Sequence, residues 1–443
     1  MQLADQYIDT YKKVLENTDT IRINGRVSDV IRLVIVSSGP NVALGEVCTV
    51  IDREGKEVCK SEVVGFKGGK VLSIALGEVH EISPACEIIA SGQAFKTPVG
   101  DGLLGRVLDG MGNPIDGKGD LDLAGYRTIY RDPPNPMTRK RIESPLQTGV
   151  RTLDGLLSVG KGQRMGIFAG SGVGKSVMMG MIARNTNADV NVITLIGERG
   201  REVREFIEKD LGEEGLRRSV VVVATSDKSA LLRMKGAYLG TTIAEYFRDQ
   251  GKDVVLMMDS VTRFAMAQRE IGLTIGEPPT TKGYTPSVFA LLPKLLERAG
   301  TTDRGSITGF YSVLVDGDDM TEPIADAVRS ILDGHVVLSR KIANRGQYPA
   351  IDPLQSVSRV MPDIVSADQR GRAIAFNEVL ATYDEAEDLI NIGAYVKGSN
   401  PQIDHALEKI RYLRSFLKQD MYEKSTLQET IARLNQIIEA PLG

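Results

Sequence analysis

The spacing of apolar positions changes twice along the chain and divides it into regions of different predicted structure. From residue 21 to 92, short β-branched runs are separated by glycine and charged turns, a pattern typical of a small antiparallel barrel or sandwich, and we predict a barrel. Residues 93–365 begin with a glycine- and proline-rich connector that runs to about Pro145. Strand-sized apolar runs then alternate with amphipathic helical stretches, which indicates a parallel sheet covered by helices.

The remaining segments, residues 366–443 and 1–20, carry helical spacing alone. The first of them predicts a helical C-terminal domain. In residues 1–20 the apolar positions predict an amphipathic helix, and its apolar face either packs on its own protein or docks a partner. The sheet strands are predicted at Met165–Phe168, Asp189–Ile196, Val220–Thr225, Asp253–Asp259 and Ser306–Val315. The predicted fold class is therefore a multidomain α/β protein with an N-terminal β-barrel and a C-terminal helical domain.

The segment AGSGVGKS, Ala169–Ser176, joins an apolar strand to a stretch with helical spacing. Glycines let the backbone N–H groups of such a loop turn toward phosphate oxygens, and the helix N-terminus adds partial positive charge. Lys175 is predicted to reach the β- and γ-phosphates, and the Ser176 hydroxyl to ligate Mg²⁺. Ala169 stands where the usual pattern has glycine, but this residue ends the strand and touches no phosphate. The flanking strand and helix favour a phosphate-binding loop over a chance turn, with predicted contacts at Gly170, Ser171, Gly172, Val173, Gly174, Lys175, Ser176 and Val177.

Two acidic residues follow predicted strands of the same sheet. Asp259 closes the run VVLMMDS and is predicted to stand behind the metal ion, although an aspartate there is often only a helix cap. Glu198 ends the run NVITLIGE and is predicted to polarise the attacking water; the alternative is a favourable charge at the start of the next helix. Because ligands bind at the carboxyl edge of open parallel sheets, both carboxylates are expected near the phosphate-binding loop.

Composition excludes several other classes of function. The net charge is −4, from 54 basic and 58 acidic residues, and there is no tryptophan, so neither a basic field nor a stacking platform for nucleic acid is expected. Apolar runs are too short to span a bilayer, and the N-terminus lacks the layout of a secretory signal. The three cysteines and three histidines lack metal-ligand spacing. The cysteines are interpreted as reduced thiols of a cytosolic protein.

Three longer motifs carry a specific resemblance. They are GERGREVREF at Gly197–Phe206, DSVTRFAMAQREIG at Asp259–Gly272 and GEPPTTKGYTPSVFALLPKLLERAG at Gly276–Gly300. Together with VLVDGDDMTEPIADAVRSILDGHVVLSR and QYPAIDPLQSVSRVMPD, they closely resemble the flagellar type III export ATPase family. That family is related to the catalytic subunit of rotary F- and V-type ATPases. The resemblance implies a P-loop (RecA-like) ATPase core, a homohexameric ring and active sites between neighbouring subunits.

The same resemblance implies roles for individual residues. It supports Lys175 and Ser176 at phosphate and Mg²⁺, Glu198 as the catalytic carboxylate and Asp259 behind the metal. Four further residues gain roles only through the resemblance: Arg199 and Arg263 near the γ-phosphate and the catalytic glutamate, Tyr348 as the aromatic ring against which adenine stacks, and Arg359 as an arginine finger that acts in the neighbouring subunit.

The resemblance also implies partners and a location. The expected partners are a regulator that binds the N-terminal helix, a stalk-like coiled coil, export chaperones with their cargo and the membrane export gate. No nucleic acid is expected. The chain is expected in the cytoplasm, peripherally associated with the inner membrane at the export apparatus, and possibly monomeric when isolated.

Four related classes remain as alternatives to the flagellar assignment. The virulence-type injectisome ATPase is the nearest rival and resembles the segment after Asp259 less well. A non-catalytic subunit of a rotary ring lacks an acidic residue at the Glu198 position, and an ATP synthase subunit carries a more acidic C-terminal helix segment than Leu413–Glu429. A ring helicase is disfavoured by the charge and by the few aromatic residues.

Overall fold

A computed structural model of the chain describes residues 24–31, 33–77, 81–315, 317 and 319–439. The helix predicted over residues 1–20 lies outside these ranges. The chain separates into two compact units, with the division between Phe95 and Lys96. No helix in the described ranges is long and apolar enough to cross a membrane.

The N-terminal unit is a closed antiparallel barrel in its described part. Its strands follow one another around the barrel in the order β1-β2-β5-β4-β3-β6, and β6 pairs with β1 to close it. This closure confirms the predicted barrel and leaves no exposed sheet edge. The buried thiols of Cys48 and Cys59 lie in its core, where burial raises the pKa of each to about 11, so both stay protonated. The strands are β1 (Gly25–Ile31), β2 (Val34–Ser38), β3 (Glu46–Ile51), β4 (Glu57–Lys67), β5 (Lys70–Ala75) and β6 (Glu87–Ala94).

The second unit is built on a mostly parallel sheet. Its strand order is β19-β18-β12-β17-β15-β13-β14-β8, with β16 paired antiparallel to β17 and β19 antiparallel to β18. The central strands are buried along their whole length, as expected for a sheet with helices on both faces. The strands are β7 (Lys96–Val99), β8 (Arg106–Asp109), β9 (Gly125–Thr128), β10 (Pro145–Leu146), β11 (Val159–Gly160), β12 (Arg164–Ala169), β13 (Val190–Ile196), β14 (Ser219–Ala224), β15 (Asp253–Asp259), β16 (Gly300–Thr301), β17 (Ser306–Leu314), β18 (Gly334–Leu338) and β19 (Ile351–Ser358).

Helices cover this sheet and continue into the C-terminal region. They are α1 (Arg151–Leu156), α2 (Lys175–Asn185), α3 (Gly200–Glu205), α4 (Gly212–Arg217), α5 (Ala230–Asp249), α6 (Val261–Ile275), α7 (Pro286–Leu296), α8 (Pro323–Ile331), α9 (Arg340–Asn344), α10 (Met361–Ile364), α11 (Ala367–Asn391), α12 (Pro401–Leu417) and α13 (Leu427–Glu439). A π-helical segment, Phe206–Leu211, joins α3 to α4. Short 3₁₀ turns lie at Asp101–Leu103, Pro136–Thr138 and Thr281–Gly283. The fold class predicted from the sequence is confirmed.

The register of the parallel strands fixes the two edges of the sheet. Ala169, the last residue of β12, lies level with Leu314 and Leu338, the last residues of β17 and β18. This is the carboxyl edge, where loops that bind ligands are expected. At the opposite, amino edge, the backbone N–H of Arg359 donates to the Asp333 carbonyl at 3.0 Å, and that of Asp333 to the Arg164 carbonyl at 2.9 Å.

The C-terminal helices pack against α1, which precedes the central strand β12. Gly155 of α1 lets Phe416 approach so closely that an added Cβ would lie 2.8 Å from its ring. Phe416 in turn packs on Phe376 of α11, with ring centroids 5.5 Å apart. The helical region therefore shares one apolar core with the mostly parallel sheet.

Candidate active site

The predicted phosphate-binding loop connects β12 to α2 at the carboxyl edge of the sheet. Gly172 and Gly174 have φ angles of 79° and 86°, which residues with a side chain rarely adopt. Ser171 and Gly172 are exposed, whereas Val173 is buried and anchors the loop in the core. Helix α2 begins at Lys175, directly after Gly174. The loop therefore presents its backbone and a helix N-terminus to solvent at one point, as a phosphate site requires.

Lys175 and Asp259 meet beside this loop. The Lys175 ammonium forms an ion pair with Asp259 Oδ1, and the two side chains are 12% and 5% exposed. The Ser312 hydroxyl of β17 donates to the same oxygen at 2.7 Å. Asp259 ends β15, so the strand directs its carboxylate to the carboxyl edge beside Lys175. The structure thus brings Lys175 and Asp259 together, and Ser312 is an additional partner that sequence analysis did not identify.

Glu198 follows β13 by two residues and lies at the same edge. Burial, and after it the negative charge of Asp259, together raise the pKa of Glu198 to about 7, while Lys175 acts in the opposite direction. The Glu198 carbonyl accepts a hydrogen bond from Ser226 N–H at 3.0 Å, which ties this residue to the end of the neighbouring strand β14. A carboxylate with a pKa near neutrality beside a phosphate-binding loop is suited to act as a general base.

The two arginines implied by the family resemblance occupy different environments. Arg263 packs its side chain on Gly197, where an added Cβ would lie 2.9 Å from the Arg263 Cβ. Its buried Nε has no hydrogen-bond partner among the residues that the structure describes, and its backbone N–H donates to Ser260 Oγ at 3.3 Å. Arg199 instead extends into solvent, is 80% exposed and bonds Glu202 at 3.3 Å. Arg263 therefore adjoins the Glu198 loop, whereas Arg199 does not turn inward in this structure.

Tyr348 lies against the glycine loop of its own chain. The residue is 45% exposed, and a Cβ added at Gly174 would lie 3.3 Å from its Cδ1. The ring borders a cavity of about 410 Å³, within the size range of small-molecule pockets. Val177, Met178 and Met181 of α2 form one side of this cavity. An apolar space beside an exposed aromatic ring suits a flat purine base.

The opposite side of the same cavity comes from the C-terminal region. The segment 418–421, which follows α12, lines it. The backbone N–H of Gln419 donates to the Tyr348 carbonyl at 2.9 Å and fastens this segment to the Tyr348 loop. Sequence analysis did not identify this wall, because no local motif marks it and its contacts span more than two hundred residues of sequence.

Arg359 is not part of the site formed by its own chain. It is exposed and follows β19 at the amino edge, level with Arg164 at the start of β12. The phosphate-binding loop begins at the other end of β12, a distance of about 17 Å for a strand of this length. Arg359 therefore lies across the sheet from the phosphate-binding loop of its own chain.

The residues present fit a magnesium ion. Mg²⁺ prefers oxygen ligands and commonly combines one protein carboxylate or hydroxyl with substrate phosphates and water. Ser176, the second residue of α2, and Asp259 supply such donors beside the phosphate-binding loop. Within the described ranges, no cluster of three or more His, Cys, Asp or Glu side chains could hold a metal without a substrate.

Comparisons with known proteins agree with this geometry. The profile of the ATP synthase alpha/beta family, nucleotide-binding domain, matches residues 149–358. The profile of the T3SS EscN ATPase C-terminal domain matches residues 365–436. These two ranges contain the phosphate-binding loop, both carboxylates, Tyr348 and the C-terminal segment that lines the cavity beside Tyr348.

Individual relatives match almost the whole chain. The "Flagellum-specific ATP synthase" of Bacillus subtilis is 56% identical over 96% of this chain and 97% of its own length. The "Type 3 secretion system ATPase" of Xanthomonas euvesicatoria is 51% identical, with 97% of each chain covered. Among solved structures, the assembled ATPase EscN of enteropathogenic E. coli matches with a TM-score of 0.88 and 44% identity, covering 94% of this chain and 100% of that one. EscN in complex with its central stalk EscO matches with a TM-score of 0.87 and 43% identity, at the same coverage.

Proposed function

The chain belongs to the ATP synthase alpha/beta family, among the flagellum-specific ATP synthases and type III secretion ATPases, and from this premise we propose how it works. It is an ATPase of type III protein export. We propose that it hydrolyses Mg-ATP at the subunit interfaces of a homohexameric ring and energises the export of flagellar proteins. The observation that carries the proposal is the meeting of Lys175, Asp259 and Glu198 beside one glycine loop.

When the triphosphate binds, Lys175 exchanges its ion pair with Asp259 for ion pairs with the phosphates. Its ammonium is paired with Asp259, and it moves toward the β- and γ-phosphates when the nucleotide enters. The backbone N–H groups of the glycine loop and the N-terminus of α2 hold the same phosphates. Asp259 keeps the Ser312 hydrogen bond, which holds its carboxylate at the edge of the sheet after Lys175 leaves.

Ser176 and Asp259 would hold the magnesium ion at this position. When bound, the ion neutralises developing charge on the phosphates. Glu198 accepts a proton from the attacking water or orients it toward the terminal phosphorus. Its pKa near 7 means that a large share of the Glu198 carboxyls is ionised at neutral pH and can serve as the base. Arg263, packed on Gly197, supports the Glu198 loop and supplies positive charge beside it.

Arg359 completes the site of a neighbouring subunit. Its position at the amino edge supports this role, because its own phosphate-binding loop lies at the opposite edge. A guanidinium delivered in this way stabilises charge on the transferred phosphoryl group. A head-to-tail contact of this kind generates a closed ring when the rotation between subunits closes. The assembled state named for EscN supports the ring.

The partners and the location follow from the same assignment. We propose a central coiled-coil stalk, supported by the EscN complex with its stalk EscO. Export chaperones with cargo, the membrane export gate and a regulator of the N-terminal helix are the further proposed partners. The ring is proposed to lie in the cytoplasm, peripherally associated with the inner membrane at the export apparatus.

Replacement of the chromosomal gene in the source organism by a Glu198→Gln allele tests the flagellar role. The expected result is loss of motility and of flagellin in the culture medium, with normal levels of the ATPase protein. A wild-type allele reintroduced by the same procedure is the control. Normal motility with loss of other secreted proteins would instead assign the chain to an injectisome, the candidate favoured by the EscN profile and the secretion-system relative.

A further inference from the structure

Arg151 lies outside the phosphate-binding loop, but it contacts the segment that lines the cavity beside Tyr348, which we call the base cavity. It is the first residue of α1 and its side chain is 3% exposed. A buried guanidinium is stable only when its N–H groups are satisfied, so its partners are fixed by the fold. All of those partners belong to the stretch 416–423, which includes the cavity wall at 418–421.

The side chain of Arg151 contacts residues at the beginning and at the end of this stretch. Its Nε donates to the Phe416 carbonyl at 3.2 Å, and Nη2 donates to the Lys418 carbonyl. Nη1 forms an ion pair with Glu423. A planar guanidinium can satisfy these acceptors together, whereas a lysine ammonium is a single point of charge on a flexible stem.

Gln419 completes the connection between α1 and Tyr348. Its Oε1 accepts from the backbone N–H of Arg151 at 2.9 Å, and its Nε2 donates to the Gly149 carbonyl at 2.8 Å. Its own backbone N–H donates to the Tyr348 carbonyl. The Gln419 side chain is thus committed to holding the segment in place.

We propose that Arg151 is a positioning residue for the nucleotide base. It holds the stretch 416–423 at a fixed distance from α2 and Tyr348, and so it sets the width of the base cavity without touching the nucleotide. This inference rests on the proposed function, because it assigns the cavity to the base of the bound nucleotide. It predicts that loss of the guanidinium weakens recognition of the base and leaves recognition of the phosphates intact.

The test compares two magnesium-bound ligands that differ by the nucleoside. Titration calorimetry with ADP and with inorganic pyrophosphate is performed on the full chain, on Arg151→Lys and on Arg218→Lys. Arg218 is the matched control, since its guanidinium also donates to backbone carbonyls, those of Ala183 and Thr186 at 2.8 Å, but it does not line the base cavity. Arg151→Lys is expected to weaken ADP binding roughly tenfold, in the range for lost charge-assisted hydrogen bonds, with pyrophosphate binding unchanged.

Steady-state kinetics give a second readout that a purely structural role would not produce. Arg151→Lys should raise KM for Mg-ATP by a similar factor while kcat changes little, because the phosphate-binding residues are untouched. Arg218→Lys should change neither constant. Equal weakening of ADP and pyrophosphate binding in Arg151→Lys, or ADP binding equal to that of the unaltered chain, would overturn the inference.

The experiment also covers a variant that fails to fold and a chain that binds neither ligand. If Arg151→Lys does not fold, Glu423→Gln removes one of its anchors and is expected to weaken ADP binding in the same direction by a smaller factor, with pyrophosphate binding unchanged. Unaltered ADP binding in that variant would count against the inference. If the unaltered chain binds neither ADP nor pyrophosphate, the proposed function itself fails.

Discussion

The two edges of the central sheet contrast sharply in charge and exposure. At the carboxyl edge, Lys175, Asp259 and Glu198 converge in a largely buried cluster, where burial and the charge of Asp259 raise the pKa of Glu198 to about 7. At the amino edge, Arg359 stands exposed, away from any part of that cluster. The contrast shows that Arg359 lies apart from the carboxylates of its own chain, and for this reason we propose that it completes the phosphate site of a neighbouring subunit.

Strand β19 links these two edges within a single element. Tyr348 precedes it at the carboxyl edge and touches its own glycine loop, whereas Arg359 follows it at the amino edge. Eight extended residues span about 26 Å, so the two side chains cannot serve the same nucleotide in one subunit. Tyr348 therefore lies beside the glycine loop of its own chain, and Arg359 lies at the far edge of the sheet, where we propose that it serves a neighbouring subunit.

Arg359→Ala tests the amino edge and has the largest expected effect. Loss of the finger should reduce kcat about 10³-fold or more, because charge on the transferred phosphoryl group is no longer neutralised. Nucleotide binding to the isolated chain should be unchanged. Arg304→Ala, at an exposed position before β17 on the same edge, is the control and should retain activity. A normal rate in Arg359→Ala would remove the amino edge from the reaction.

Glu198→Gln tests the carboxyl edge with nearly as large an effect. The amide cannot accept the proton, so turnover should fall roughly 10²- to 10⁴-fold while Mg-ATP still binds. Steady-state turnover and equilibrium binding of Mg-ATP measure the two quantities separately. A variant with the rate of the unaltered chain would show that another group activates the water.

Tyr348→Ala sharpens the contrast between the two ends of β19. Removal of the ring should raise KM for Mg-ATP roughly tenfold or more, the amount expected for loss of base stacking on an aromatic side chain. The same constant should be nearly unchanged in Tyr348→Phe, which keeps the ring. Kinetics that respond equally to both substitutions would point to the hydroxyl rather than to stacking.

The pH profile offers a smaller and more specific effect. Since the pKa of Glu198 is raised to about 7, only the ionised fraction can act as base, and kcat/KM should fall as pH drops through 7. One pH unit below this pKa, kcat/KM should be about tenfold lower than its constant value at higher pH. The residual rate of Glu198→Gln should lack this limb. If kcat/KM of the unaltered chain instead fell only near pH 4, burial and the charge of Asp259 would not set the pKa of Glu198.

The sequence predicted the carboxyl edge well because its signals are local. The glycine loop, the strand that ends in Asp259 and the strand that precedes Glu198 are each read from contiguous residues. Parallel pairing then brings their ends together, since every strand of such a sheet delivers its carboxyl end to one side. The roles of these residues in turnover remain predictions until they are measured.

Sequence analysis did not predict the parts of the structure that depend on contacts between residues far apart in the sequence. The predicted connector contains β8, which joins the edge of the main sheet beside β14, and strands β18 and β19 were not predicted at all. The π-helical segment Phe206–Leu211 was not predicted either, because its apolar spacing is that of an ordinary helix. The second wall of the base cavity at 418–421 depends on contacts with Arg151 and Tyr348, and no local pattern encodes such contacts. Tyr348 and Arg359 were identified only through the family resemblance.

The most direct test of the divided site mixes two inactive variants. Glu198→Gln keeps the finger and loses the base, whereas Arg359→Ala keeps the base and loses the finger. If the finger acts in the next subunit, random co-assembly restores both groups at about a quarter of the interfaces, and the mixture regains a comparable share of the normal activity. The control mixture pairs Glu198→Gln with the double variant and should stay inactive. Failure of the two single variants to restore activity at any ratio, in rings shown to contain both, would contradict a site divided between subunits.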